Sequence, residues 1–395
     1  MGLHIRKLDK TTKEMKQKLH IVIGADIVPT KSNLKYFINA ELDKLIDTDI
    51  SACLAGADYI AMNLEVPLTD AVKAIAKCGP CLIAPTATVA GLKKINPFFY
   101  TLANNHILDQ DVQGLKSTIR VLYEHGIAFA GVGNNLGEAW KPHIVKLNDV
   151  KIGFYCCAEH EFSIATETTP GANPFDPLES FDHVKELKKE CDLVIVLYHG
   201  GKEHYRYPSP WLQKVFHKFA DCGADYVIAQ HTHCIGCEEK YKDSTLIYGQ
   251  GNFLFDYSES DFWKTSLLID IKVEKGKFST DYIPLVKYGN MVCKAQGVVA
   301  EEILKNFYYR SQEIMKDTFI AENYYKFANQ QRGIYFTGFS GLIGRLFMIR
   351  VINKLTRYKF MDFLYNKNIL PEIDNMLECE AHRELAIAVM KSEKK

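Results

Sequence analysis

Long apolar runs are missing from this chain: no stretch of about 18 uncharged apolar residues occurs, so a membrane-spanning helix is not expected. An excess of charge of one sign is missing as well. Lysine plus arginine and aspartate plus glutamate balance at 48 each, which leaves no global basic footprint and argues against nucleic acid as a partner. Residues 1–18 are basic and helix-prone, but no apolar core follows them as in a secretory signal, and Arg6 stands where a myristoylation signal on Gly2 would carry Ser or Thr. Without such a signal, eleven cysteines read better as reduced thiols of a cytoplasmic protein than as a disulfide framework. Internal repeats and low-complexity segments are absent too. What remains is an ordinary globular composition, 395 residues with 47% hydrophobic content, ample for a full core.

Two CxxC pairs, Cys78-Gly79-Pro80-Cys81 and Cys234-Ile235-Gly236-Cys237, together offer four thiolates to a zinc ion. Neither has the flanking pattern of a zinc knuckle, and unpaired thiols are the preferred reading.

The informative stretch is Asp225 to Asp256. Tyr226 to Ala229 form a short apolar β-run that stops at Gln230-His231-Thr232-His233, and side chains two apart in an extended or sharply turning segment lie on the same side. His231 and His233 can therefore reach one ion or two adjacent ions, although two histidines on a loop are by themselves equally compatible with a solvated turn. The next run ends at Gly249-Gln250-Gly251-Asn252, whose glycines let the backbone approach the same place closely.

The same pattern recurs along the chain. Leu19–Ile23 ends at Gly24-Ala25-Asp26, Asp58–Met62 at Asn63-Leu64-Glu65, Phe98–Leu102 at Ala103-Asn104-Asn105-His106, and Cys191–Tyr198 at His199-Gly200-Gly201. In open α/β sheets sites form beyond the carboxyl ends of strands, so these strand ends read as one site. Helices are expected between them: Asp111 to His125, and a segment from Ser209-Pro210 to Gly223 whose serine caps and whose proline opens the first turn. The Trp211, Phe216 and Phe219 stripe in the second is packing. A β-hairpin is expected with strands Ser266–Val273 and Phe278–Val286. Glu159-His160-Glu161 follows another strand end and either lines a substrate cleft or is a solvated loop.

From about residue 300 the composition shifts to amphipathic helix, first Ala300 to Phe319 and then Leu342 to Tyr358, where Arg345, Arg350, Lys354 and Arg357 alternate with apolar residues and no acid occurs between Gly333 and Met361. Residues 341–358 can lie on an anionic membrane surface or bind a polyanion; the commoner arrangement for such a stripe is to pack on the protein's own core.

The series of motifs resembles the CapA family of poly-γ-glutamate and capsule biosynthesis, within the calcineurin-like metallophosphoesterases, over roughly residues 21–256. The resemblance rests on Gly24 and Asp26, Asn63-Leu64-Glu65-Val66-Pro67-Leu68-Thr69, Ala103-Asn104-Asn105-His106 with Asp109, Gly131-Val132-Gly133-Asn134-Asn135, His199-Gly200 with Glu203 and Tyr205, His231-Thr232-His233, and Tyr248-Gly249-Gln250-Gly251-Asn252-Phe253. There are departures. Ala25 separates Gly24 from Asp26, Val28 stands where the superfamily has a histidine, Glu65 replaces an aspartate, Thr232 replaces a proline and Gln230 a glycine.

The resemblance implies a layered α/β/β/α sandwich of metallo-dependent phosphatase type with a helical C-terminal extension, divided as an N-terminal segment 1–18, a phosphoesterase-like domain 19–290 and an extension 291–395. It implies two divalent ions, Mn, Fe or Zn, with Asp26 and His233 on one, Asn105, His199 and His231 on the other, and Glu65 between them. His106 would be the general acid, oriented by Asp109, with Asn252, Glu203 and His160 toward the substrate. The expected activity is hydrolysis of a phosphorylated or anionic polymer precursor, at the inner face of the membrane or in the cytoplasm. The alternative is a non-catalytic, metal- and polyanion-binding assembly protein at the membrane surface.

Overall fold

The computed structural model describes residues 18–256, 260–274, 276–341, 346–365 and 369–392. Residues 1–17, and Arg345 with the rest of 342–345, lie outside that set.

Alternation within the strands explains the layering. In the first strand, Lys18–Ile27, Leu19, Ile21 and Ile23 point into one apolar cluster and Val22, Ala25 and Ile27 into another. The strand Leu193–His199 divides likewise, Leu193, Ile195 and Leu197 facing the first strand's inner cluster and Val194, Val196 and Tyr198 facing outward. Both strands are buried on two sides, so each needs a covering layer on both faces.

Two sheets result. Among the described residues the larger has eight strands: Met291–Lys294, Lys277–Tyr288, Thr265–Glu274, Lys18–Ile27, Tyr59–Leu64, Phe99–Thr101 and Ala128–Ala130 in spatial order, with Asn252–Leu254 joined to the end of Lys18–Ile27. The second runs Glu238–Tyr241, Ser244–Ile247, Tyr226–Gln230, Leu193–His199, Val150–Ala158 and His143–Leu147. Ile21, Phe99, Ile152, Ile195 and Ile228 meet between the sheets. Leu54, Leu92, Leu115 and Leu122 come from helices on the outer face of the first sheet, and Val184, Leu187, Val215 and Phe219 from helices on the outer face of the second. The architecture is the expected α/β/β/α sandwich.

The expected helices form at Asp111–Glu124 and Pro210–Asp221, and the Ser209 side chain accepts from the Leu212 backbone N–H at 3.0 Å. The hairpin forms as Thr265–Glu274 paired with Lys277–Tyr288. The first compact unit extends to Ile320, so residue 290, the expected domain limit, falls inside it. The reason is packing: the helix Gly297–Glu313 buries Ile303 and Phe307 in the cluster between the sheets, and Arg310 Nε donates to the Gly236 carbonyl at 2.7 Å.

Residues 321–395 form the second unit. It contains the helices Phe347–Thr356, Lys359–Leu364, Leu370–Glu378 and Glu380–Ser392. Arg357 and Tyr358 adopt left-handed backbone and turn the chain between the first two. No helix among the described residues is long and apolar enough to cross a membrane.

Candidate metal centre

Parallel pairing brings the carboxyl ends of the site's strands together. Lys18–Ile27 pairs with Tyr59–Leu64, which pairs with Phe99–Thr101, and Leu193–His199 pairs in parallel with Tyr226–Gln230. Asp26, Glu65, Asn105, His106, Asp109, His199, His231 and His233 are all buried at this edge.

Three groups of side chains present ligand-type atoms that all lie within 4.8 Å of one another: Asp26, Glu65 and His233; Glu65, His199 and His231; and Glu203, His231 and His233. Glu65 belongs to two of them. Its Oε1 lies 3.3 Å from His199 Nε2 and 4.0 Å from His106 Nε2, and neither carboxyl oxygen has a hydrogen-bond partner. Burial, reinforced by the nearby Asp26 carboxylate, pushes the Glu65 pKa up to about 8. A carboxyl so placed is unsatisfied by the chain alone, and a cation bound there would both satisfy it and draw it back to the carboxylate form. Burial holds the pKa of His199 below the usual imidazole value, and that of His231 well below it, with His199 and His233 adding to the effect on His231. Both are thus in the neutral, metal-ligating form, and His231 Nδ1 is a further buried atom without a partner. Carboxylate and imidazole donors without thiolate fit a divalent ion of the Mn, Fe or Zn kind. No such group among the described residues contains a cysteine, and all eleven cysteines are free thiols.

The His231–His233 turn is strained. Both residues have positive φ, 87° and 53°, which for non-glycine residues is uncommon and persists only where surroundings enforce it. The enforcement is visible. His231 N–H donates to Asp26 Oδ2 at 3.3 Å, Thr232 Oγ1 donates to the Cys234 carbonyl at 3.2 Å, and His233 Nδ1 meets Asn252 Oδ1 at 2.8 Å. Gly249 packs its backbone so closely that a Cβ there would lie 2.5 Å from Thr232 Oγ1. Gln230 donates to the Gly24 carbonyl at 3.2 Å and ties the turn's strand to the first strand. Val28 is core, its N–H on the Leu254 carbonyl at 2.7 Å.

Beside the clusters, His106 Nδ1 lies 2.6 Å from Asp109 Oδ2, and Lys77 Nζ lies 2.5 Å from Asp109 Oδ1. Asn105 touches His199 Nε2 with its Oδ1 at 3.0 Å and donates to Glu161 Oε2 at 2.8 Å. The three residues expected to face substrate are placed differently from one another. Asn252 is buried against His233, Glu203 sits 3.9 Å from His231 Nε2 within the third group, and His160 is exposed and belongs to none of the groups.

Asn63, Asn104 and Lys77 were assigned no role from the sequence. Asn63 Nδ2 donates to Asp26 Oδ1 at 2.8 Å and lies 3.3 Å from His199 Nδ1, while Asn104 accepts from the His106 N–H and donates to the Leu64 carbonyl. Their signal was membership of the Asn-Leu-Glu and Ala-Asn-Asn-His strings. Lys77 had none, because it lies in an irregular loop 32 positions from Asp109.

The family model described as bacterial capsule synthesis protein PGA_cap matches residues 20–257, the segment that carries every one of these strand ends. The chain belongs to this family. Among PGA_cap relatives, the capsule biosynthesis protein CapA of Bacillus anthracis is 28% identical over 312 residues, 76% of this chain and 74% of the relative. The PGA biosynthesis protein CapA of Bacillus subtilis (strain 168) is 32% identical over 210 residues, 51% of this chain and 54% of that one. Similar solved structures include a phosphatase from Mycoplasma pneumoniae, 15% identical with a TM-score of 0.45 over 69% of this chain and 95% of that one. Another is a putative 5'-nucleotidase from Staphylococcus aureus, 13% identical with a TM-score of 0.44 over 73% and 58%.

Proposed function

We propose that this PGA_cap protein is a metal-dependent, phosphoesterase-type hydrolase acting on a phosphorylated or anionic precursor of a capsule or cell-surface polymer. The observation that carries the reading is Glu65, a buried carboxyl with two unpartnered oxygens shared by two clusters of metal-capable side chains. Asp26, Glu65 and His233 would hold one ion, and Glu65, His199 and His231, with Asn105 alongside, a second; Glu203 offers a further carboxylate. When bound, such a pair supplies Lewis acidity toward phosphoryl oxygens and acidifies water. The chain's own residues do the rest. Asn63 and Asn252 hold Asp26, His199 and His233 in orientation. His106 gives one ring N–H to Asp109, so in its imidazolium form the Nε2 proton, on the side of Glu65, is the one to hand to a leaving oxygen. We assign the protein to the cytoplasm, where eleven free thiols stay reduced.

The test has two parts. Metal analysis of the purified protein should give bound divalent metal, and His231→Ala and His233→Ala should each lower the stoichiometry; full occupancy in both variants refutes the centre. His106→Ala should then cost on the order of 100-fold on alkyl phosphates and clearly less on p-nitrophenyl phosphate, whose leaving group needs no proton, with metal retained. Metal-loaded wild type with no turnover of any phosphate ester would instead favour a non-catalytic assembly protein that binds metal and polyanion.

A further inference from the structure

In the second unit, the helix Phe347–Thr356 sorts its residues into three arcs at 100° per residue. Ile349, Ile352, Asn353 and Thr356 face inward, with Asn353 buried and its Nδ2 directed at Thr337 Oγ1. Phe347, Val351, Leu355 and Met348 form a second, contiguous arc, and it is exposed: 79% for Phe347, 72% for Met348 and 78% for Leu355. The third arc, between the other two, is Arg350, Lys354 and, just past the helix, Arg357.

Within the second unit, an apolar arc turned outward is the reverse of what a core-facing helix does. The three cations line a concavity of about 980 Å³ together with Thr337, Asn353, Tyr358 and, from the apolar arc, Phe347 and Val351, and no acidic side chain lines it. None of the three has an ion-pair partner among the described residues, whereas nearby Arg332 is neutralised by Asp362 at 3.0 Å. A row of uncompensated positive charge beside a row of exposed apolar side chains, both parallel to one helix axis, is complementary to a surface that carries phosphates above hydrocarbon.

We propose that this helix docks the protein on an anionic lipid bilayer, lying in the plane of the surface with Phe347, Met348, Val351 and Leu355 in the acyl boundary and Arg350, Lys354 and Arg357 on the lipid phosphates. The proposal is independent of the hydrolase reading, because it uses no residue of the metal centre.

The test is flotation of the full chain with vesicles of phosphatidylcholine alone or mixed with phosphatidylglycerol. The full chain should float with the mixed vesicles and not with the neutral ones, and added salt should weaken its binding. Each charge removed should cost roughly fivefold in partition, so Arg350→Ala/Lys354→Ala/Arg357→Ala should lose on the order of 100-fold. Phe347→Ser/Leu355→Ser should lose at least about tenfold, and since these side chains are exposed the variants keep their fold. Equal binding to neutral vesicles, or wild-type binding by both variants, overturns the proposal. So does a dimer, seen by light scattering, that the Phe347→Ser/Leu355→Ser variant abolishes in a protein that binds no vesicles, which would assign the face to a second copy of the chain.

Discussion

Lys77 shows how much of the centre depends on a side chain that is not itself a ligand. Its side chain is only 2% exposed, and its ammonium group sits on Asp109, which is fully buried. The other Asp109 oxygen accepts from the Leu82 N–H at 2.6 Å and from His106. The carboxylate is thereby fixed on both sides, and it fixes the imidazole. Lys77→Met would leave that carboxylate buried without its counter-charge, a change that typically costs about 3 kcal/mol. Denaturant unfolding should show that loss while metal stoichiometry stays at the wild-type value, because no ligand is touched. A loss below about 1 kcal/mol would mean that the loop shifts and water replaces the ammonium.

At the scale of the element, the decisive piece is the turn that follows Tyr226–Gln230. Two consecutive sharp changes of direction put His231 and His233 in left-handed backbone, and the Gly249 backbone, itself at φ +131°, is wedged against Thr232 between them. Gly249→Ala should therefore destabilise the protein by about 1–3 kcal/mol and lower metal occupancy, although it replaces no ligand. Gly56, at the end of the helix Thr48–Gly56, has nothing near its missing Cβ, and Gly56→Ala should leave both quantities unchanged. Metal analysis beside thermal unfolding of the two variants separates a strained turn from a general intolerance of added methyl groups.

For the whole molecule, the end of the first unit is the testable feature. Truncation after Ile320 should yield a soluble protein that binds metal with wild-type stoichiometry, since the unit keeps both sheets and the helix Gly297–Glu313. Truncation after Pro284 should be insoluble. It cuts the strand Lys277–Tyr288 and removes Phe307 from the core between the sheets, along with the Arg310 guanidinium that supports the Gly236 turn just beyond His233. A soluble, metal-loaded 284-residue protein would show that the sheets close without that helix.

Local chemistry is what the sequence alone could determine. The apolar β-run Leu19–Ile23, the serine cap and following proline at Ser209-Pro210, and polar residues waiting at strand ends are all set by neighbours a few positions apart, and they were legible for that reason. So was the family. Which polar groups meet was decided only by the tertiary structure: Asn63 reaches His199 across 136 positions, and Glu203, which the family resemblance set toward the substrate, lies beside His231. The limit of the first unit at Ile320 and the outward apolar arc of Phe347–Thr356 were likewise not legible, because an amphipathic pattern reports that a face is apolar and not what covers it. Glu65 joins the two levels. Its place at a strand end is written in the chain, but a carboxyl with both oxygens unpartnered exists only once the strands bearing Asp26, His199 and His233 have closed around it.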